Sequence, residues 1–270
     1  MNDTEKYLFD LNGYLVLRQV LTTAAVAAMN AAIDHHAHQG HKRVDSLVGS
    51  SKALSGTSHR KDMGGMLAWE RPYCEPFRRL LAHPVVKPYL EGILGTGYRL
   101  DHGPGLIAMD TGCEGGTLHG GGVERRDMSE PYFFKSGRIY TGLTVAEFLL
   151  ADEAPGDGGV AVVPGSHKAN LPCPKSMLLW EQHQEHVLEL NGKAGDVVIF
   201  TETLTHGTLP WTAAHERRAL LYKFSPGHSS WSLDYYNADA YEGLTEQQKR
   251  ILTPPCVGNR PDVVEITEEY

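Results

Sequence analysis

From about Tyr98 to Phe224 the apolar positions fall in short runs: Leu106 to Met109, Tyr140 to Leu150, Gly159 to Val163, Asp196 to Phe200 and Ala219 to Phe224. Turn chemistry separates them, as in Pro155-Gly156-Asp157-Gly158-Gly159 and Asn191-Gly192-Lys193-Ala194-Gly195. Short runs so spaced predict an antiparallel sandwich or barrel. The N-terminal third has another rhythm. Gly13 to Leu17 predicts a short strand, and Thr22 then caps a helix to about Ala37 in which Val26, Met29 and Ile33 recur at helical spacing. Residues 40–71 are polar and without a sustained period, which predicts a long loop or covering segment. Pro72 to Leu94 predicts helical pieces, with Phe77, Leu80 and Leu81 on one face. The expectation is a mainly β protein with flanking helices, in one domain over 1–270: a helical layer to about 97, a β core over about 98–230, and a tail over 231–270.

Composition narrows the function. With 33 Asp plus Glu against 25 Lys plus Arg, the formal charge is −8, so counterion release gives little drive toward a nucleic-acid polymer. There is no apolar run of membrane-spanning length, and the first residues lack a secretory leader's pattern, so a cytoplasmic protein is expected. Cys74, Cys113, Cys173 and Cys256 are widely spaced and predict free thiols. His35, His36, His38 and His41 cluster at the predicted end of the first helix, where histidine suits the helix dipole; an incidental metal site is the alternative.

Two other histidines stand in a different setting. His119 lies in Thr117-Leu118-His119-Gly120-Gly121-Gly122, and His206 follows the predicted strand Asp196 to Phe200. Each precedes a glycine, which permits a tight turn beside the imidazole. Arg217 stands 11 positions after His206, and strand alternation places Arg217 and Arg218 on opposite faces, one of them inward. A buried arginine needs an anion. That anion is either the far carboxylate of a keto-acid co-substrate or a protein carboxylate in a salt bridge, and the histidines are either ligands or ordinary core groups.

The combination of Leu150-Ala151-Asp152, Pro164-Gly165-Ser166-His167-Lys168, Ala194-Gly195-Asp196-Val197-Val198-Ile199-Phe200, His206-Gly207 and Arg217-Arg218 resembles the phytanoyl-CoA dioxygenase family. The opening Gly13-Tyr14-Leu15-Val16-Leu17 is similar too, so the resemblance runs from about residue 7 to 230. It implies a double-stranded β-helix of the jelly-roll or cupin-like kind, with iron(II), 2-oxoglutarate and O2 as the reacting partners. It also implies that His119 and His206 bind the metal, and that Arg217 and Thr208 hold the distal carboxylate of 2-oxoglutarate.

One position departs from the family. The carboxylate of a two-histidine, one-carboxylate metal site usually follows the first histidine by two residues, and here that residue is Gly121. Three readings follow. The gap resembles that of iron halogenases, in which chloride fills the vacated position and a C–H bond is chlorinated. Alternatively a carboxylate arrives from elsewhere, with Glu124, Asp127 and Glu147 as candidates, and the protein is a hydroxylase; for Glu147 a salt bridge to an arginine is the competing role. The third reading is a non-catalytic relative that binds a small molecule. Arg125, Arg126, Lys135 and Arg138 could clamp an anionic substrate or form a solvated loop.

Overall fold

The computed structural model describes residues 1–120, 132–258 and 260. The chain opens with helix α1 (Asp3–Asn12), then strand β1 (Tyr14–Leu17) and helix α2 (Thr23–His35). Thr22 caps α2 by accepting from the Ala25 amide, and Val26, Met29, Ala32 and Ile33 form its buried stripe. Helix α1 has no such stripe. Only its Phe9 is buried, and a capping box between Asn2 and Glu5 marks its start.

The polar stretch 40–71 is not free of regular structure. It carries two short strands, β2 (His41–Lys42) and β3 (Lys61–Met63), which pair with each other, β3 in turn pairing with β4 (Arg99–Met109). Its polarity reflects an edge position, where one face and one flank stay wet. Helices α3 (Glu75–Leu80) and α4 (Lys87–Leu94) follow, as the apolar spacing predicts.

The remaining strands are β5 (Gly116–His119), β6 (Tyr132–Lys135), β7 (Arg138–Thr141), β8 (Thr144–Leu149), β9 (Gly159–Val162), β10 (Leu188–Glu189), β11 (Val197–Thr201), β12 (His206–Leu209) and β13 (Arg217–Ser225). The run Tyr140 to Leu150 is thus divided: its start belongs to the β6–β7 ribbon and its remainder to β8. The short helices α5 (Lys175–Leu178) and α6 (Glu246–Ile251) complete the described elements.

Seven strands form one sheet, in the order β1-β11-β8-β13-β4-β3-β2, and four form another, in the order β10-β9-β12-β5. All registered pairings within them are antiparallel. This is the double-stranded β-helix. Strand β8 is buried at all six positions because helices cover the outside of the large sheet: Phe148, Leu220, Tyr222 and Phe224 share one core with Met29, Phe77 and Leu90.

Asp101 ties the tail to this frame. Its buried carboxylate accepts from Arg99, His102, Ser225 and the backbone amides of Trp231 and Ser232. Burial alone would raise its pKa, but these hydrogen bonds hold it well below the usual carboxylate range. No helix among the described residues is long and apolar enough to cross a membrane.

Candidate metal centre

His119 ends β5 and His206 begins β12, and the two are register partners across the small sheet. Their rings lie 4.3 Å apart between centroids. The His206 Nδ1–H donates to the Leu204 carbonyl at 2.7 Å, and the His119 Nδ1–H to the Thr117 carbonyl at 3.1 Å. A carbonyl can only accept, so each ring carries a proton on Nδ1, and in the neutral ring the lone pair is on Nε2. This is the tautomer a metal requires.

The third member of the group is Glu202, which lies in the turn between β11 and β12. One ligand atom from each of His119, Glu202 and His206 lies within 4.8 Å of the other two, and Glu202 Oε2 is 3.6 Å from His206 Nε2. The turn is tight. The Leu204 amide donates to Thr201 O, the Thr205 amide to Ser166 Oγ of the Pro-Gly-Ser-His-Lys landmark, and the Glu202 amide to Leu143 O. Gly120 permits the approach: its φ is +80°, and a Cβ there would strike the carbonyl oxygens of Glu202 and Leu204.

The electrostatics suit a cation. Burial holds His206 down to about 4, so it is neutral at pH 7. Burial pushes Glu202 upward, but His206 when charged and Lys223 more than offset this, and its pKa sits at about 2. Lys223 pairs with Glu202 Oε1, leaving Oε2 toward the histidines. Two imidazoles and one ionised carboxylate are a donor set for a first-row divalent metal, and these residues fit one.

These groups line a cavity of about 610 Å³ that also includes Arg60, Asp62, His102, Glu147, Thr208 and Arg217. Thr208 therefore shares the cavity with Arg217. Arg217 does point inward, with 1% of its side chain exposed, and Arg218 faces Asp34 and Glu216 on the other side. But Arg217 is not waiting for a ligand. Its Nη2 meets Glu147 Oε1 at 2.5 Å and its Nε meets Glu153 Oε1 at 2.8 Å. Glu147 is thus the partner of Arg217 and does not belong to the histidine group. Because Arg217 is already paired twice, this end of the cavity does not specially favour the distal carboxylate of a dicarboxylic co-substrate.

Other predicted positions separate. Gly121, Glu124, Arg125, Arg126 and Asp127 lie outside the described residues. Arg138 sits exposed on β7 and lines a different cleft with Phe133 and Tyr140. The four cysteines are free thiols. His36 is buried and stacks on Trp69, its Nδ1 bonded to Ala32 O, so its role goes beyond the helix dipole. Glu202 was not among the sequence candidates, although the Glu-x-x-x-His spacing of residues 202–206 is visible in the chain.

No curated protein sequence matches this chain. Among solved structures, HygX from Streptomyces hygroscopicus with nickel and 2-oxoglutarate bound is 22% identical, covers 89% of this chain and 94% of its own, and superposes with a TM-score of 0.69. HygX has also been seen with nickel, 2-oxoglutarate and hygromycin B, at the same TM-score. The non-heme alpha-ketoglutarate-dependent carbocyclase SnoK from nogalamycin biosynthesis is 16% identical, covers 84% of this chain and 85% of its own, and has a TM-score of 0.61. These likenesses establish a shared fold. Residues 9–219 match the phytanoyl-CoA dioxygenase (PhyH) family, and with that much of the sequence matched the chain belongs to this family of iron- and 2-oxoglutarate-dependent oxygenases.

Proposed function

We propose that this protein is an oxidoreductase that hydroxylates a small polar molecule at a metal held by His119, Glu202 and His206. The observation that carries the reading is the placement of Glu202 beside the two histidines. It supplies from the β11–β12 turn the carboxylate that Gly121 cannot, so no halide is needed to complete the charge around the metal. Iron(II) bound there supplies the activation of O2. The chain's own residues do the rest: the Leu204 and Thr117 carbonyls fix the imidazole orientations, and Lys223 fixes the Glu202 carboxylate.

The cavity wall describes the substrate. His102 donates from Nδ1 to Asp101 and offers its other ring nitrogen, Nε2, to a polar group in the cavity. Arg60, Arg217 and Lys223 each have a carboxylate partner, so these cations of the cavity do not favour an anionic substrate. A small polar ligand accords with the fold's likeness to HygX, which has been seen with hygromycin B.

Cobalt(II) substitution tests the reading, because its visible bands report coordination. The expected result is one cobalt per chain, with a spectrum indifferent to chloride in the wild type and sensitive to chloride in Glu202→Ala. If chloride perturbs the wild-type bands as strongly as those of the variant, a halide position is open, and the chlorination reading displaces this one.

A further inference from the structure

The far end of the cavity holds one guanidinium and two carboxylates, with side-chain exposures of 1% for Arg217, 3% for Glu147 and 0% for Glu153. When all three are ionised their charges leave a net of −1 in a dry interior. The strands hold this arrangement in place. Glu147 projects from β8, where it pairs in register with Leu221 of β13, the strand that carries Arg217. Glu153 is fixed by reciprocal backbone hydrogen bonds with Gly192. Gly159, at φ +93°, gives both charges room: a Cβ there would lie 2.9 Å from Arg217 Nε and would strike the Glu153 carboxylate.

A positive pocket floor would attract the distal carboxylate of a dicarboxylic 2-oxo acid. With all three groups ionised this floor is negative instead. We propose that Glu147 and Glu153 are specificity-determining residues that occupy Arg217 against such a carboxylate, so that the cavity end accepts a 2-oxo acid with a neutral distal group as readily as 2-oxoglutarate. Glu147 is the direct obstacle, since it lines the cavity beside Arg217 whereas Glu153 lies behind. The proposal rests on the metal-centre reading only for the seat of the ligand's 2-oxo-carboxylate head. The charge balance of the trio is independent of it.

The test is calorimetric titration of the nickel-loaded protein at pH 8 with 2-oxoglutarate and with 2-oxopentanoate, in which a methyl replaces the distal carboxylate. Wild type is expected to prefer 2-oxoglutarate by no more than about threefold, since a bare cation is absent. Glu147→Gln keeps the side-chain shape and leaves Arg217 in a one-to-one pair with Glu153, so it buries no unpaired ion. It should bind 2-oxoglutarate at least about tenfold more tightly, with 2-oxopentanoate unchanged. Glu153→Gln provides a second, independently folding route to the same balance. A wild type that prefers 2-oxoglutarate tenfold or more, with both variants unchanged, overturns the proposal.

Failure of the metal reading would show separately, as absence of nickel uptake. In that case the metal-free chains are titrated with glutarate, where a gain in Glu147→Gln upholds the assignment and no gain overturns it.

Discussion

Replacing Glu153 with glutamine should stabilise the protein at alkaline pH and leave it unchanged in acid. The cause is the surplus negative charge beside Arg217. Burial pushes the Glu153 carboxyl up, Arg217 pulls it back, and Glu147 raises it again, leaving it at about 7 against an ordinary 4.5. Between those two values the folded chain holds a proton that the unfolded chain has lost. Unfolding free energy therefore falls as pH rises through this window and is level above it. A gap of about 2.5 pH units, at 1.36 kcal/mol each, sets an upper limit of about 3 kcal/mol on the loss. Glutamine cannot ionise and escapes that loss, while Glu147 still neutralises Arg217. Urea unfolding of metal-free wild type and Glu153→Gln at pH 4.5, 5.5, 7 and 8.5 checks this, because other titrating groups cancel in the difference. A difference that is flat with pH, or a variant less stable at pH 8.5, would refute the reasoning.

Other outcomes follow from the metal centre and the core. His206→Ala should abolish binding of one divalent metal per chain, and Glu202→Gln should weaken it by about 10- to 100-fold, read by competition with a chromogenic chelator. Gly120→Ala should lose metal and about 2 kcal/mol or more of stability in the same titration and a urea melt, since both the positive φ and the Glu202 and Leu204 carbonyls oppose a Cβ. Phe148→Ala, at a fully buried position between the large sheet and the helices, should cost about 3 to 5 kcal/mol in urea unfolding with metal affinity retained in the folded fraction.

Much of the architecture was legible in the chain, for reasons that mark where legibility stops. The strand Val197–Thr201 shows as an apolar run because both its faces are covered, and α2 shows because its buried residues repeat at helical spacing. Helix α1 escaped notice because it buries only Phe9, and the strands at 41–42 and 61–63 because their pairing lies at a polar sheet edge. At the site, alternation turned one of Arg217 and Arg218 inward without choosing between them, and a salt bridge from Glu147 to an arginine was one of two readings; the fold makes Arg217 the inward one and Glu147 its partner. Glu202 lies in a turn, where neither period applies, and only the path of the chain from Thr201 to His206 brings it to the histidines.

The pairing of β1 with β11 has a consequence in time. Leu15 faces Ile199, a separation of 184 residues, and the Gly13 carbonyl accepts from the amide of Thr201, the residue before Glu202. At roughly 5 to 20 residues per second of synthesis, the first strand waits roughly 10 to 40 s for its partner to emerge. Until then its backbone edge is open to wrong pairings, and the turn bearing Glu202 has not yet been made. Metal affinity should therefore be among the last properties a newly made chain acquires, after most of its helices have already formed.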